Sequence, residues 1–199
     1  MNPSSEDSPH NVLWKDVPAS WNFFVSPLKV GRSEAGEQRW CVEGPLGVDH
    51  WGLEFSFPSG ICVNARYRWE KESFEVTLQV EGDGIAPCAR CLSPTPLAIR
   101  SNFVYFFLLR HGAGELSEED AETEEHLVVL DRWPEKLQLS LCAWESLVAE
   151  LPSRVLCNEN CLGLCPSCGA NRNQETCSCR GASGDPRFLK LVDRPIDRG

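Results

Sequence analysis

Eight cysteines fall at short, regular spacings, and nothing else in the chain restricts its folding as strongly. Cys88 and Cys91 form one C-x-x-C step. Cys157, Cys161, Cys165, Cys168, Cys177 and Cys179 crowd a later stretch as CxxxC, CxxxC, CxxC and, after an eight-residue gap, CxC. Four thiolates about 2.3 Å from one ion make a tetrahedral zinc site, and a C-x-x-C turn presents two of them. In Cys165-Pro166-Ser167-Cys168-Gly169 the proline fixes φ after the first thiol. The glycine is free to take positive φ, so that amides turn toward the sulfurs. One site is therefore expected from Cys165, Cys168, Cys177 and Cys179. Cys88, Cys91, Cys157 and Cys161 make a second set only if the intervening chain folds the two pairs together. One or two zinc ions are expected accordingly. Cys41, Cys62 and Cys142, inside strand- or helix-like stretches, read as small buried hydrophobes.

Compartment bears on this reading. The longest apolar run, Phe103 to Leu109, is too short to span a membrane. Met1 to His10 has two acids and no Lys or Arg, unlike a signal or transit peptide. A cytoplasmic location is expected, where thiols stay reduced and metal binding outweighs disulfide formation.

From Trp14 to Leu109 the hydrophobic period is mostly two. Phe74, Val76, Leu78 and Val80 alternate with Glu75, Thr77, Gln79 and Glu81, as in a strand with one wet face. Ile61–Trp69 and Leu97–Leu109 are further strands, and Leu127–Leu130 a short one. Gly44-Pro45, Pro58-Ser59-Gly60 and Gly82-Asp83-Gly84 read as turns. Asp131 and Pro134 are placed to start a helix from Trp133 to Glu150, with Leu137, Leu141, Trp144, Val148 and Leu151 on one face and Pro152 ending it. The expected class is α+β: an antiparallel core able to curl toward a barrel, one long helix and a C-terminal cysteine-rich zinc lobe. The expected divisions are a disordered tail over 1–12, a β-rich domain over 13–110, an acidic loop over 111–126, strand and helix over 127–155, and the zinc lobe over 156–199.

The formal net charge of −10 comes mostly from Glu115 to Glu125, which holds seven acids and no base; the remaining 22 acids and 19 bases leave −3. No linear basic patch offers phosphate neutralisation. Searches for GxxxxGK(S/T), GxSxG, HExxH and GxGxxG find nothing, and His10, His50, His111 and His126 lie far from the cysteine groups. All-thiolate ligation points to closed, structural zinc rather than an enzyme.

Cys88-Ala89-Arg90-Cys91-Leu92, then Cys157 to Cys161, Gly163-Leu164-Cys165-Pro166-Ser167-Cys168-Gly169-Ala170-Asn171-Arg172-Asn173 and Cys177-Ser178-Cys179, together resemble the YceD family, the large ribosomal RNA subunit accumulation proteins. Asp185 to Leu191 is similar to the family's closing short helix, and the helix ending at Leu151-Pro152 also fits. The resemblance implies a role in 23S rRNA accumulation, processing or early large-subunit assembly, without catalysis and without a small-molecule substrate. The partners it implies are precursor 23S rRNA, a ribosomal protein, or both. If RNA is touched, Arg90, Arg172, Arg180, Arg187 and Lys190 are the candidate contacts. The cysteine count alone also admits a zinc-thiolate redox sensor or chaperone, whose activity would rise as oxidation released zinc.

Overall fold

The computed structural model describes residues 17–110 and 126–179. The expected tail, acidic loop and C-terminal helix lie wholly or almost wholly outside those residues. The chain divides into two compact units: 1–86 with 96–153, and 87–95 with 154–199.

The first unit is built on a seven-stranded, mostly antiparallel sheet. Its strands are β2 (Ala35–Val42), β3 (Leu46–His50), β4 (Leu53–Phe57), β5 (Ile61–Glu70), β6 (Ser73–Pro87), β7 (Pro94–Leu109) and β8 (Leu127–Leu130). A two-residue strand, β1 (Phe24–Val25), pairs separately with β9 (Leu137–Gln138). β6 is the hub: it pairs β5, β4 and β7, and β8 adds to β7 in parallel. The strand order ends at β2 and β3, so among the described residues the sheet does not close into the barrel that the strand pattern allows.

The alternation in β6 does what its period requires. Phe74, Val76, Leu78 and Val80 are fully buried, and the residues between them face outward. Burying each such side chain contributes about 1.5–3 kcal/mol, which fixes the strand's register, because a one-residue slip would expose them all. Gly82-Asp83-Gly84 is not a turn; β6 runs straight through it. A Cβ on Gly84 would lie 2.9 Å from the Phe57 ring, so the glycines leave room for buried Phe57 rather than bending the chain.

The α-helix of the described residues, α1, spans Ser140–Glu150 and so starts later than Trp133. Leu137 is drawn instead into the β1–β9 ladder, opposite Val25. Asp131 caps nothing and pairs with Arg110 at 2.8 Å. The Ser140 hydroxyl accepts from the Phe23 amide and donates to the Trp21 carbonyl, both at 3.1 Å, which ties the helix start to the N-terminal segment. The buried face carries Ala143, Trp144 and Leu147, while Leu141 and Val148 of the expected stripe are only half-buried. No helix among the described residues is long and apolar enough to cross a membrane.

Aromatic residues pair repeatedly in this unit, some of them against the helix. Trp21 meets Trp144 edge-on at 5.5 Å, and Trp69 meets Trp133 at 4.7 Å. The Tyr105 hydroxyl donates to the Cys142 carbonyl at 2.9 Å and contacts Ser146 Oγ at 3.1 Å. Burial pushes the Cys142 thiol up to about 12, with the Glu145 charge adding to it, and burial also raises the Tyr105 phenol. The folded chain therefore keeps a proton on Cys142 that the unfolded chain loses above pH 9, from its ordinary value of 9.0. Stability is intact below that value and falls as pH rises toward 12. Cys142→Ala is expected to flatten the decline in melting temperature between about pH 9 and 11. Equal slopes in the variant and the parent would refute this.

Cys41 and Cys62 are not buried hydrophobes. They face one another across β2 and β5 and form a disulfide, with Cα atoms 4.1 Å apart. Cys41 is exposed and Cys62 half-buried. Direct register opposition brings the sulfurs together regardless of either residue's hydrophobicity. Of the three cysteines outside the metal-like spacings, Cys142 alone is a buried thiol.

Candidate metal centres

The second unit contains all eight closely spaced cysteines, and it gathers them into two groups of four. Cys88, Cys91, Cys157 and Cys161 form the first group; Cys165, Cys168, Cys177 and Cys179 form the second. Within each, the four Sγ atoms lie within 4.8 Å of one another. The conditional pairing of Cys88–Cys91 with Cys157–Cys161 is thus the one the chain adopts.

Two turns of the same design start the groups. The Leu92 amide donates to the Cys88 carbonyl, and the Gly169 amide to the Cys165 carbonyl, each at 2.9 Å. The residue after the second cysteine is left-handed in both, with φ 59° at Leu92 and 75° at Gly169. Glycine accepts this at no cost, whereas leucine is held there at about 1–2 kcal/mol. Leu92 is also 63% exposed, so its side chain recovers little of that by burial.

Backbone and side-chain bonds then fasten the first group. The Ala89 amide donates to the Val155 carbonyl at 2.8 Å. One Arg90 guanidinium nitrogen donates to the carbonyls of Glu159 (3.1 Å) and Cys161 (2.9 Å), and the Leu164 amide returns to the Arg90 carbonyl at 3.1 Å. Arg90 therefore braces the two halves of the group, whatever else its exposed end contacts. Cys88, Cys91 and Cys161 are buried with Leu156 and Leu164 packed against them, while Cys157 is exposed. The second group is more open: Cys165 is buried, Cys177 half-buried, and Cys168 and Cys179 exposed. A cavity of about 410 Å³ borders it, lined in part by Leu162, Pro166, Arg172 and Glu175.

Within each group some sulfurs sit where negative charge is favoured and others where it is opposed. Amides of Cys157 and Cys91, with that of Arg90 at 3.5 Å, bring the Cys88 thiol down to about 6. The Cys168 and Ser167 amides do the same for Cys165, also to about 6. Ser93 lowers Cys91. Cys157 is pushed up to about 12 by its sulfur neighbours Cys91 and Cys161, and Cys179 to about 12 by Cys168 and Cys165. Each group thus favours some thiolates and resists a full set, the condition a bound dication relieves.

The first group fits a tetrahedral dication on geometry too. Metal–sulfur bonds of about 2.3 Å give tetrahedral edges of about 3.8 Å. The Cys88–Cys161 sulfurs are 3.8 Å apart and Cys91–Cys157 3.5 Å. Both groups could hold a metal ion.

Sequence reasoning missed the groups' hydrogen-bonding surroundings. Asn173 donates its amide N–H to Cys161 Sγ at 3.2 Å, and Asn171 reaches Ser93 Oγ at 3.3 Å. Both asparagines stand in the stretch that carries the family resemblance, but their spacing to the cysteines gives them no ligand role. Of the candidate RNA contacts, Arg90 and Arg172 are exposed; Arg180, Arg187 and Lys190 lie outside the described residues.

A mostly antiparallel sheet joined to a unit with two four-cysteine groups defines a cysteine-rich β protein with two candidate metal centres. Residues 76–193 match the family described as large ribosomal RNA subunit accumulation protein YceD, and the chain belongs to that family. Similar relatives include uncharacterized protein Rv2926c of Mycobacterium tuberculosis and uncharacterized protein Mb2951c of Mycobacterium bovis. Each is 32% identical over 186 residues, covering 88% of this chain and 85% of the relative. No solved structure matches.

Proposed function

We propose that this chain is a non-catalytic factor in the accumulation of 23S rRNA, acting at synthesis, processing or early large-subunit assembly, with structural zinc in both cysteine groups. The observation that carries the reading is the donor set. The family-matched span gathers eight cysteines into two all-thiol groups, and no His or carboxylate belongs to either. Catalytic zinc keeps an open position among mixed ligands, whereas four thiolates close the ion off. Zinc would here supply folding energy and a fixed surface.

Charge bears on the partner. The chain stands at −10, and each four-thiolate zinc adds about two negative charges. That favours a basic ribosomal protein at least as much as bare precursor RNA. Arg90, Arg172, Arg180, Arg187 and Lys190 are the residues to test for RNA contact. The work of such a factor belongs in the cytoplasm.

The test is depletion in the native host, followed by 23S rRNA quantity and subunit profiles. A selective fall in 23S rRNA and free large subunits is expected, restored by the parent chain. Unchanged profiles would sink the proposal. A redox-sensor reading has one observation in its favour, the exposure of Cys168 and Cys179. It requires zinc release and a gain of activity under mild peroxide.

A further inference from the structure

The loop that joins the two halves of the second cysteine group is also fastened to the first. It leaves Cys168, and the Ala170 carbonyl accepts from the Cys165 amide at 2.8 Å. Asn171 then bridges to Leu164, and the Arg172 amide donates to the Gly163 carbonyl at 3.0 Å. Asn171 Oδ1 accepts from the Asn173 amide at 3.0 Å and from Asn173 Nδ2 at 2.9 Å, which fixes the Asn173 side chain. So held, Asn173 accepts from the Leu162 amide through Oδ1 at 2.8 Å and donates through Nδ2 to Cys161 Sγ at 3.2 Å. The chain then returns to the second group at Cys177.

We infer that the two cysteine groups load metal cooperatively, and that Asn173 is the positioning residue that couples them. This rests on reading both groups as zinc sites. A metal at the second group pins both ends of the 169–176 loop and so removes the freedom the Asn173 amide would otherwise have. A metal at the first group fixes the place of Cys161 Sγ, the atom that accepts the Asn173 side-chain N–H at 3.2 Å. Each metal therefore favours the contact on which the other depends. Linkage makes the effect reciprocal: whatever factor the second metal adds to affinity at the first, the first adds at the second. Bonds of this outer kind typically change metal affinity by about 10–100-fold.

The test titrates zinc out of the full-length, reduced protein with a competing chelator and counts ions by native mass spectrometry. In the parent, the two-zinc and zinc-free forms should dominate and the one-zinc form stay scarce. Asn173→Asp keeps an acceptor for the Leu162 amide and removes the donor to sulfur. It should bind two ions at saturation yet accumulate the one-zinc form, with first-group affinity lowered about 10–100-fold. Asn173→Ala should do likewise. Cys168→Ser leaves Asn173 intact and should weaken the first group through loss of the second metal, seen as a weaker cobalt–thiolate absorption at limiting cobalt. Two-ion loading as tight in both Asn173 variants as in the parent would overturn the coupling and leave the zinc reading standing. A parent that binds no zinc would overturn both.

Discussion

Cys161→Ser is expected to leave the full chain with at most one firmly held zinc, and to unfold 87–95 and 154–164 while the sheet unit persists. Cys161 is 4% exposed, and its sulfur stands 3.8 Å from that of Cys88. The apolar material that could hold this region without metal is slight: Val155 and four buried cysteines, with Leu156 and Leu164 packed against three of them. Two leucines contribute about 1.5–3 kcal/mol each when fully buried. A structural zinc supplies about 10–16 kcal/mol, so metal binding decides whether the region folds. The loss should be read as zinc per chain and as faster amide exchange in those segments. Cys142→Ala, a buried thiol outside both groups, serves as the control and should keep both ions. Two zinc ions with parental exchange protection in Cys161→Ser would remove Cys161 from the ligand set.

Which parts of this arrangement could be read from residues follows from the range of the interactions. The β6 alternation and the C-x-x-C turns are local, with each signal and its consequence a few residues apart, and both appear in the structure as expected. Gly82 and Gly84 misled because their reason is Phe57, a ring on another strand. The helix start misled because Leu137 satisfies a helical spacing and a strand pair equally well, and only β1, far upstream, settles it. The Cys41–Cys62 bond needed the β2–β5 register, with β3 and β4 intervening in sequence. At the site, spacing alone identified the cysteines. It could not show that Arg90 braces them, or that Asn173 reaches the sulfur of the other group, because both depend on contacts across the fold.

Gly60→Ala is expected to cost the sheet unit about 2–5 kcal/mol, a large effect for one methyl group in a buried turn. Gly60 closes the turn between β4 and β5 with φ 76°. A left-handed alanine there costs about 1–2 kcal/mol. Space adds the rest: a Cβ would fall 1.8 Å from the Val42 carbonyl oxygen, which is backbone and has no rotamer by which to yield. Val42 must move, and it is the residue paired with Ile61 at the end of the β2–β5 ladder. Opening that end exposes or orphans backbone groups at about 1–3 kcal/mol. The neighbouring Cys41–Cys62 disulfide stops β2 from swinging aside as a whole, so the strain stays local. Gly44→Ala separates the two contributions. Gly44 has φ 94° and nothing within 4 Å of its Cβ position, so only the conformational cost, about 1–2 kcal/mol, should appear. Denaturant melts of both variants, with the disulfide intact, test the difference. If the two variants lose the same stability, the close approach of Val42 to Gly60 does not hold the β2 edge in place.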